Sequence, residues 1–455
     1  MILQFAENVR SCISHAGRRL RPWRYLPCIP SLVGLGRVTL ALAIVLASSG
    51  YAGGDEVKAK SPGQEQFEQG LAQLNGKNYT QAEASFKKAL AINPKFAAAY
   101  LGLADIHEFE GDIAGAGLFL QKAVAISPES AAVQTAWGQY LFSQKRFVEA
   151  EKAYQRAIQS DPKAAVPRAL LGDLYLLALK KPDAAVMAYR ACLALDASNL
   201  KANFMLGTAL LALGKTEEGE TQLGKASNLA PNDVTVRKAL ADLELRRGEL
   251  DVAMANYRKI LEIAPNTTWA QIGIGDVFMQ RKDYNRAISS YQNALAQTPN
   301  SVEVQTKLGM SQDLKGDTGS AEASYKKALT LDPKDGVAAN NLAWLLAVKE
   351  QKPKEALPWA QKAVAANPKN ANFLDTQGWI IRANGDAGAA LVVLKKAEAL
   401  APQDPGILYH LGLVYQELGN SSLAAESYTK ALAINKTFYG AADAQARIAA
   451  IQARK

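Results

Sequence analysis

The sequence predicts an all-α solenoid of about eleven helix-turn-helix units, closed by a C-terminal capping helix. Three observations predict it. A small residue, always Gly or Ala, returns every 34 or 35 residues, at Gly70, Ala104, Gly138, Gly172, Gly207, Ala241, Gly275, Gly309, Ala343, Gly378 and Gly412. A second small series runs Ala82, Ala116, Ala150, Ala185, Gly219, Ala253, Ala287, Ala321, Ala356, Ala390 and Ala424, with a bulkier residue four positions later, from Phe86 to Tyr428. Prolines at 94, 128, 162, 231, 265, 299, 333, 368 and 402 close nine of the units. A fixed period of this length marks a repeat architecture, and self-similarity outranks every other signal in a chain.

The chain opens with a segment unlike the rest. Residues 1–52 hold six arginines and one acid, and end in the apolar run Val38–Ala47 followed by small residues. That run has the length of a signal-peptide core and is short for a membrane span. Export with cleavage near Ala52 is the expectation. An uncleaved N-terminal anchor is the alternative, with Ile29–Gly36 extending the run, and so is a translation start downstream of Met1. A cysteine just after the run, as a lipoprotein would need, is absent, and Arg18-Arg19 stands far from the apolar core. Residues 53–62 read as a flexible linker.

The array follows over 63–436. Within a unit, apolar residues recur at spacings of three and four, break, and recur again, which is the pattern of two amphipathic helices of about a dozen residues. The breaks carry turn residues, such as Gly111-Asp112, Gly316-Asp317 and Gly385-Asp386. Gly or Ala on each helix admits close backbone approach, and the bulkier residue fills the gap to the neighbouring unit. Proline ends the second helix because it cannot continue one. Units four and nine each carry one extra residue near the inter-helix turn, at "LKKPDAA" and "KEQKPKEAL". Residues 437–455 then read as a capping helix, presenting Phe438, Ala442, Ile448 and Ile451 to the last unit and Asp443, Arg447, Arg454 and Lys455 to water. One consequence is that Gly309→Leu loosens the middle of the array more than its ends.

These residues, at this period, resemble the tetratricopeptide repeat (TPR) family from Gly63 to about Lys436. The resemblance implies a right-handed superhelix whose first helices line a concave groove. It also implies a protein-interaction scaffold. "NNLAWLLA" (340–347) and "FLDTQGWI" (373–380) further resemble units of TPR proteins of bacterial exosortase and exopolysaccharide systems, although those relatives are commonly lipoproteins.

Composition narrows the function. The net charge of +9 is largely the leader's, and the remainder holds 46 basic and 42 acidic side chains. That balance leaves no electrostatic footprint for nucleic acid. Only His15, His107 and His410 are present, with Cys12, Cys28 and Cys192, and no phosphate loop, metal-ligand spacing or nucleophile motif appears. Neither a cofactor nor a metal nor catalysis is expected. Cys192 and His107 read as packed core residues.

The groove supplies the candidate site. The residue after the first small slot runs Leu71, Asp105, Gln139, Asp173, Thr208, Asp242, Asp276, Met310, Trp344, Trp379 and Leu413. Two indoles one repeat apart, Trp344 and Trp379, with Asn340, Asn341, Asp375, Arg382, Tyr409, His410 and Gln416 around them, form the expected binding floor for a protein or peptide. A polysaccharide stacked on the indoles is the alternative occupant. Asp105, Asp173, Asp242 and Asp276 form a secondary acidic row that would steer a basic segment. Lys201, Lys238 and Lys307 lie among them, scattered rather than grouped as a carboxylate clamp requires. The resulting expectation is a non-enzymatic scaffold of a bacterial cell envelope, periplasmic or exported. The alternatives are a carbohydrate-binding factor in polysaccharide export and an assembly factor held by an N-terminal anchor, with residues 1–52 the only route to a membrane.

Overall fold

The computed structural model describes residues 61–453. The expected leader, and all but the last two residues of the linker, lie outside them. The described chain is all-α, in two compact bodies divided between Val236 and Arg237. The first holds α1 (Gln64–Asn75), α2 (Tyr79–Ile92), α3 (Ala97–Glu110), α4 (Ile113–Ile126), α5 (Ala131–Ser143), α6 (Phe147–Ser160), α7 (Val166–Asp173), α8 (Pro182–Leu193), α9 (Leu200–Ala212) and α10 (Thr216–Leu229). The second runs from α11 (Val234–Arg247), whose first three residues precede the division, through α12 (Leu250–Ile263), α13 (Thr268–Gln280), α14 (Tyr284–Gln297), α15 (Val302–Lys315), α16 (Thr318–Leu331), α17 (Gly336–Trp344), α18 (Pro353–Ala366), α19 (Ala371–Ala383), α20 (Ala387–Leu400), α21 (Pro405–Glu417), α22 (Ser421–Ile434) and α23 (Ala441–Gln452). Odd-numbered helices up to α21 are the first helices of the units, even-numbered ones the second, and α23 is a last single helix.

Close contact between helices is built on the small slots. A Cβ on Gly138 would stand 2.6 Å from the Tyr154 ring, on Gly275 2.4 Å from Tyr291, and on Gly412 2.4 Å from Tyr428. Each ring belongs to the second helix of the same unit and occupies the space over the bare glycine. The same ring also reaches the next unit: Phe86 lies against both Gly70 and Gly102, and Tyr257 lies against Gly273. The bulky residue therefore joins its own pair to the following one, as expected from sequence. Six of these side chains, Tyr154, Tyr189, Tyr257, Tyr291, Tyr325 and Tyr428, are fully buried.

Turns between the two helices of a unit need one left-handed residue. Six use glycine, at 111, 214, 248, 316, 385 and 419. Five place a lysine or glutamine there, Lys77, Lys145, Lys180, Lys282 and Gln351, at φ between 56 and 61°. A β-carbon is disfavoured in that region by about 1–2 kcal/mol, so packing of the flanking helices holds those turns. Second helices start cleanly where the sequence supplies a cap: Asp112, Asp283, Asp317, Asp386 and Asn420 accept from backbone N–H groups of the first turn.

The extra residue of units four and nine is not a loop insertion. It is absorbed in the last turn of the first helix, where the ladder widens into π-helical turns at Leu174–Ala178 and Leu345–Lys349. Pro182 and Pro353 then open the second helices at their first position, where the missing N–H costs nothing.

A candidate interaction surface on the first helices

The four aspartates of the acidic row do not form a uniform negative stripe. In units four, six and seven the carboxylate is held from both sides. The Tyr189 hydroxyl donates to Asp173 at 2.7 Å, and Lys201 from the next first helix lies 2.5 Å away. Tyr257 donates to Asp242 at 2.6 Å, with Lys238 one turn earlier at 2.5 Å. Tyr291 donates to Asp276 at 2.6 Å, and the Lys307 ammonium reaches both of its oxygens at 2.7 Å. The scattered lysines are therefore internal counter-ions. Lys238 also stands 5.5 Å from the Trp269 ring centre.

Asp105 differs. Unit two has Leu120 at the bulky slot, so no tyrosine hydroxyl reaches it. Burial, then repulsion from Glu108, pushes its carboxyl up from the ordinary 3.8 to about 6. The folded protein then keeps a proton that the unfolded chain releases, so its contribution to stability is present below about pH 4 and lost as pH rises through 6. Asp105→Asn is accordingly expected to raise stability at pH 7 by up to about 3 kcal/mol, with little gain at pH 4. Urea unfolding at the two pH values checks this.

Unit eight shows what happens when the slot is apolar. Met310 stands where Asp276 stands one unit earlier, and the buried Tyr325 hydroxyl has no hydrogen-bond partner among the described residues. Tyr325→Phe should be neutral or stabilising. Tyr291→Phe should cost about 1–3 kcal/mol, because it removes a hydrogen bond to a carboxylate. Parallel thermal melts of the two variants test the contrast.

Around the late tryptophans the surface is more closed than its composition suggests. Trp344 is only 4% exposed and packs against Met310, Leu314, Val348 and Trp379. The indole centres lie 6.5 Å apart, with planes inclined at 38°. Two exposed, parallel platforms for sugar rings are therefore not present, because the first indole is the floor of an apolar seam and the second closes over it. Trp379 is half-buried. The Arg382 guanidinium stands 4.8 Å and the His410 ring 4.6 Å from its ring centre. Arg382 pairs with Glu417 at 2.6 Å. Asn340 stays half-buried, while Asn341 and Asp375 are buried. Asn341 occupies the register of Gly273 and Lys307, two residues before the small slot.

Tyr409 and His410 are covered by the chain that follows the last repeat. The Tyr409 hydroxyl donates to Asp443 at 2.7 Å, and His410, fully buried, bonds Asp375 at 2.7 Å through Nδ1 and the Tyr439 hydroxyl through Nε2. Gln416 accepts from Tyr428 and from Arg447. These three side chains dock α23 and its approach loop. Asp443 and Arg447, expected to face water, are partners in that docking. Repeat periodicity says nothing of where the chain turns after its last unit, so sequence alone could not show this cover.

The first helices of units eight to ten thus offer Met310, Leu314, Val348 and Trp379, and α17 and α19 also carry exposed Val337 and Ala383, with the Arg382–Glu417 pair next to Trp379. Leu314 and Val348 escaped notice in the sequence. Their signal was a position one helical turn beyond Met310 and Trp344. Elsewhere, Cys192 is buried as a free thiol, its acidity pushed down to a pKa of about 11 by burial. His107 bonds Asp112 at 2.8 Å and packs on Phe119. Among the described residues no group of three or more His, Cys, Asp or Glu side chains could hold a metal ion, and no helix is long and apolar enough to cross a membrane.

Comparison with known proteins accords with this architecture. Residues 229–451 match the family described as the C-terminal domain of cilia and flagella-associated protein 70. Residues 69–140 and 176–243, and overlapping stretches 127–165 and 135–200, match two families of tetratricopeptide repeats. A DnaJ homolog subfamily C member 7 homolog of Schizosaccharomyces pombe is 29% identical over 34% of this chain and 36% of its own length. The type IV pilus assembly protein PilF of Pseudomonas aeruginosa is 32% identical over 28% of this chain and 51% of its own. The chain thus spans about a third to a half of the length of these curated relatives. Among solved structures, yeast Tom70 is 14% identical, with 86% of this chain and 96% of that one covered and a TM-score of 0.48. YrrB, described as a TPR protein with an unusual peptide-binding site, is 23% identical over 42% of this chain and 97% of its own, with a TM-score of 0.34.

Proposed function

The chain belongs to the tetratricopeptide-repeat family, whose arrays are protein-interaction scaffolds and generally not enzymes, and from that premise we propose that its first-helix face binds a protein or peptide without catalysis. The observation that supports this reading is the half-buried apolar seam Met310–Leu314–Val348–Trp379, in an array whose first helices also carry exposed Val337 and Ala383. Aromatic and aliphatic anchors of this kind supply most of the energy of a protein contact once they are covered. The Arg382–Glu417 pair beside them offers a polar rim.

The occupant is an apolar or amphipathic stretch of a partner protein. Trp379 is the indole available to it, and Trp344 serves by holding Trp379 in place. Glutamate at Ala383 or Val337 should abolish co-purification of the partner and leave the melting curve unchanged, whereas Val392→Glu on a second helix should leave binding intact. Equal loss from all three would point to bulk charge rather than this face.

Export is part of the same proposal, and it rests on residues 1–52. A bacterial envelope is its setting, and a relative named for pilus assembly is in keeping with that. N-terminal sequencing of the mature protein decides between cleavage near Ala52 and a retained anchor.

A further inference from the structure

Three of the four aspartates that follow the first small slot are neutralised from within the chain, and the lysine comes from three different registers. Lys201 lies six residues before the small slot of the next unit, Lys307 two before it, and Lys238 four residues before its aspartate on the same helix. At the three corresponding positions around Asp105 stand Ala132, Ala136 and Leu101. The tyrosine that completes each trio is replaced by Leu120. Every position from which this repeat supplies a partner to its aspartate is therefore apolar in one unit, and the carboxylate there is half-buried with no hydrogen bond or ion pair among the described residues. Glu108 repels it further.

We infer that Asp105 is the docking point for a cationic side chain, lysine or arginine, of a partner protein's extended segment, which supplies in trans the cation that units four, six and seven carry in their own sequence. The inference rests on the first-helix face being the binding wall, and it adds a second contact on the other body from the apolar seam. The geometry suits a cation on a long stem. In the three internal examples an ammonium reaches the carboxylate from a four-carbon chain lying along the helix surface. Apolar, half-buried Ala132 would flank such a stem. A half-buried carboxylate also gains more from a partner than a solvated one does, since water screens it less.

The test uses the full chain labelled with ¹³C at aspartate Cγ, titrated at pH 7 with N-acetyl-lysine amide, N-acetyl-arginine amide and the neutral Nε-acetylated lysine analogue. The resonance missing from the Asp105→Asn spectrum assigns the site. A saturable shift of Asp105 with the two cations, no shift with the neutral analogue, and an unmoved Asp173 are expected. Ala132→Lys, which places a lysine where Lys201 stands relative to Asp173, should abolish the response and leave the fold intact. Movement of Asp105 and Asp173 together, an equal response to the neutral analogue, or full binding in Ala132→Lys would overturn the inference. If partner binding maps to the first-helix face but Asp105 stays silent, only this inference fails. If Asp105 takes the cation but no partner contacts that face, the proposed function fails instead.

Discussion

Replacing Gly309 with leucine is expected to cost about 3 kcal/mol or more, at the upper end of what overpacking a core does. A single Cβ at that position would already stand 2.7 Å from the Tyr325 ring, and the ring is fully buried with nowhere to turn. Leucine adds three further carbons into the same contact, so α15 and α16 must separate. In a repeat array each unit draws its stability from its neighbours. The damage should therefore centre on units seven to nine and fade toward α23. Hydrogen exchange resolves this: α15 and α16 lose protection first, and Gly309→Ala shows the same pattern more weakly. Uniform loss along the second body would mean that it unfolds as one block.

Lys349→Met should cost about 3–5 kcal/mol at pH 7. Asp313 is wholly buried, and among the described residues its one ion-pair partner is the Lys349 ammonium and its second oxygen accepts no hydrogen bond. Burial already raises its pKa above the ordinary carboxylate value, with Lys349 opposing that rise. Without the ammonium the pKa climbs further. A carboxyl with a raised folded pKa contributes stability that is complete below its unfolded pKa and lost as pH rises through the folded one. The penalty should therefore be largest at pH 7 and shrink toward pH 5, where the folded variant keeps its proton. Urea unfolding at both pH values reads this directly. Equal losses would assign the role of Lys349 to its aliphatic stem.

The fold was legible because its cause is local and repeated. Gly138, Gly275 and Gly412 each carry an aromatic ring on the bare backbone, and that constraint returns with the period whatever else changes. The prolines marked the ends of second helices for the same reason. The π-turns at Leu174–Ala178 and Leu345–Lys349 were half legible: the extra residue was countable, but whether helix or loop absorbs it depends on packing. The candidate surface was less legible. Trp344 was rightly placed beside Trp379, yet its burial depends on Met310 and Leu314 from the preceding unit and Val348 one turn on. The aspartate row looked free because its lysines come from three registers, so no single spacing betrays them. His410 and Tyr409 looked open because Tyr439 and Asp443, which cover them, follow the last repeat.

Site-specific photo-crosslinking in the native cell tests the central claim most directly. A benzophenone side chain would be placed at Val337 and Ala383 on first helices, and at Val392 and Leu423 on second helices, all four exposed. Adducts to one defined protein from the first pair, and none from the second, are predicted. The same adducts from Val392 or Leu423, with Val337 and Ala383 silent, would contradict the claim that the first-helix face meets the partner.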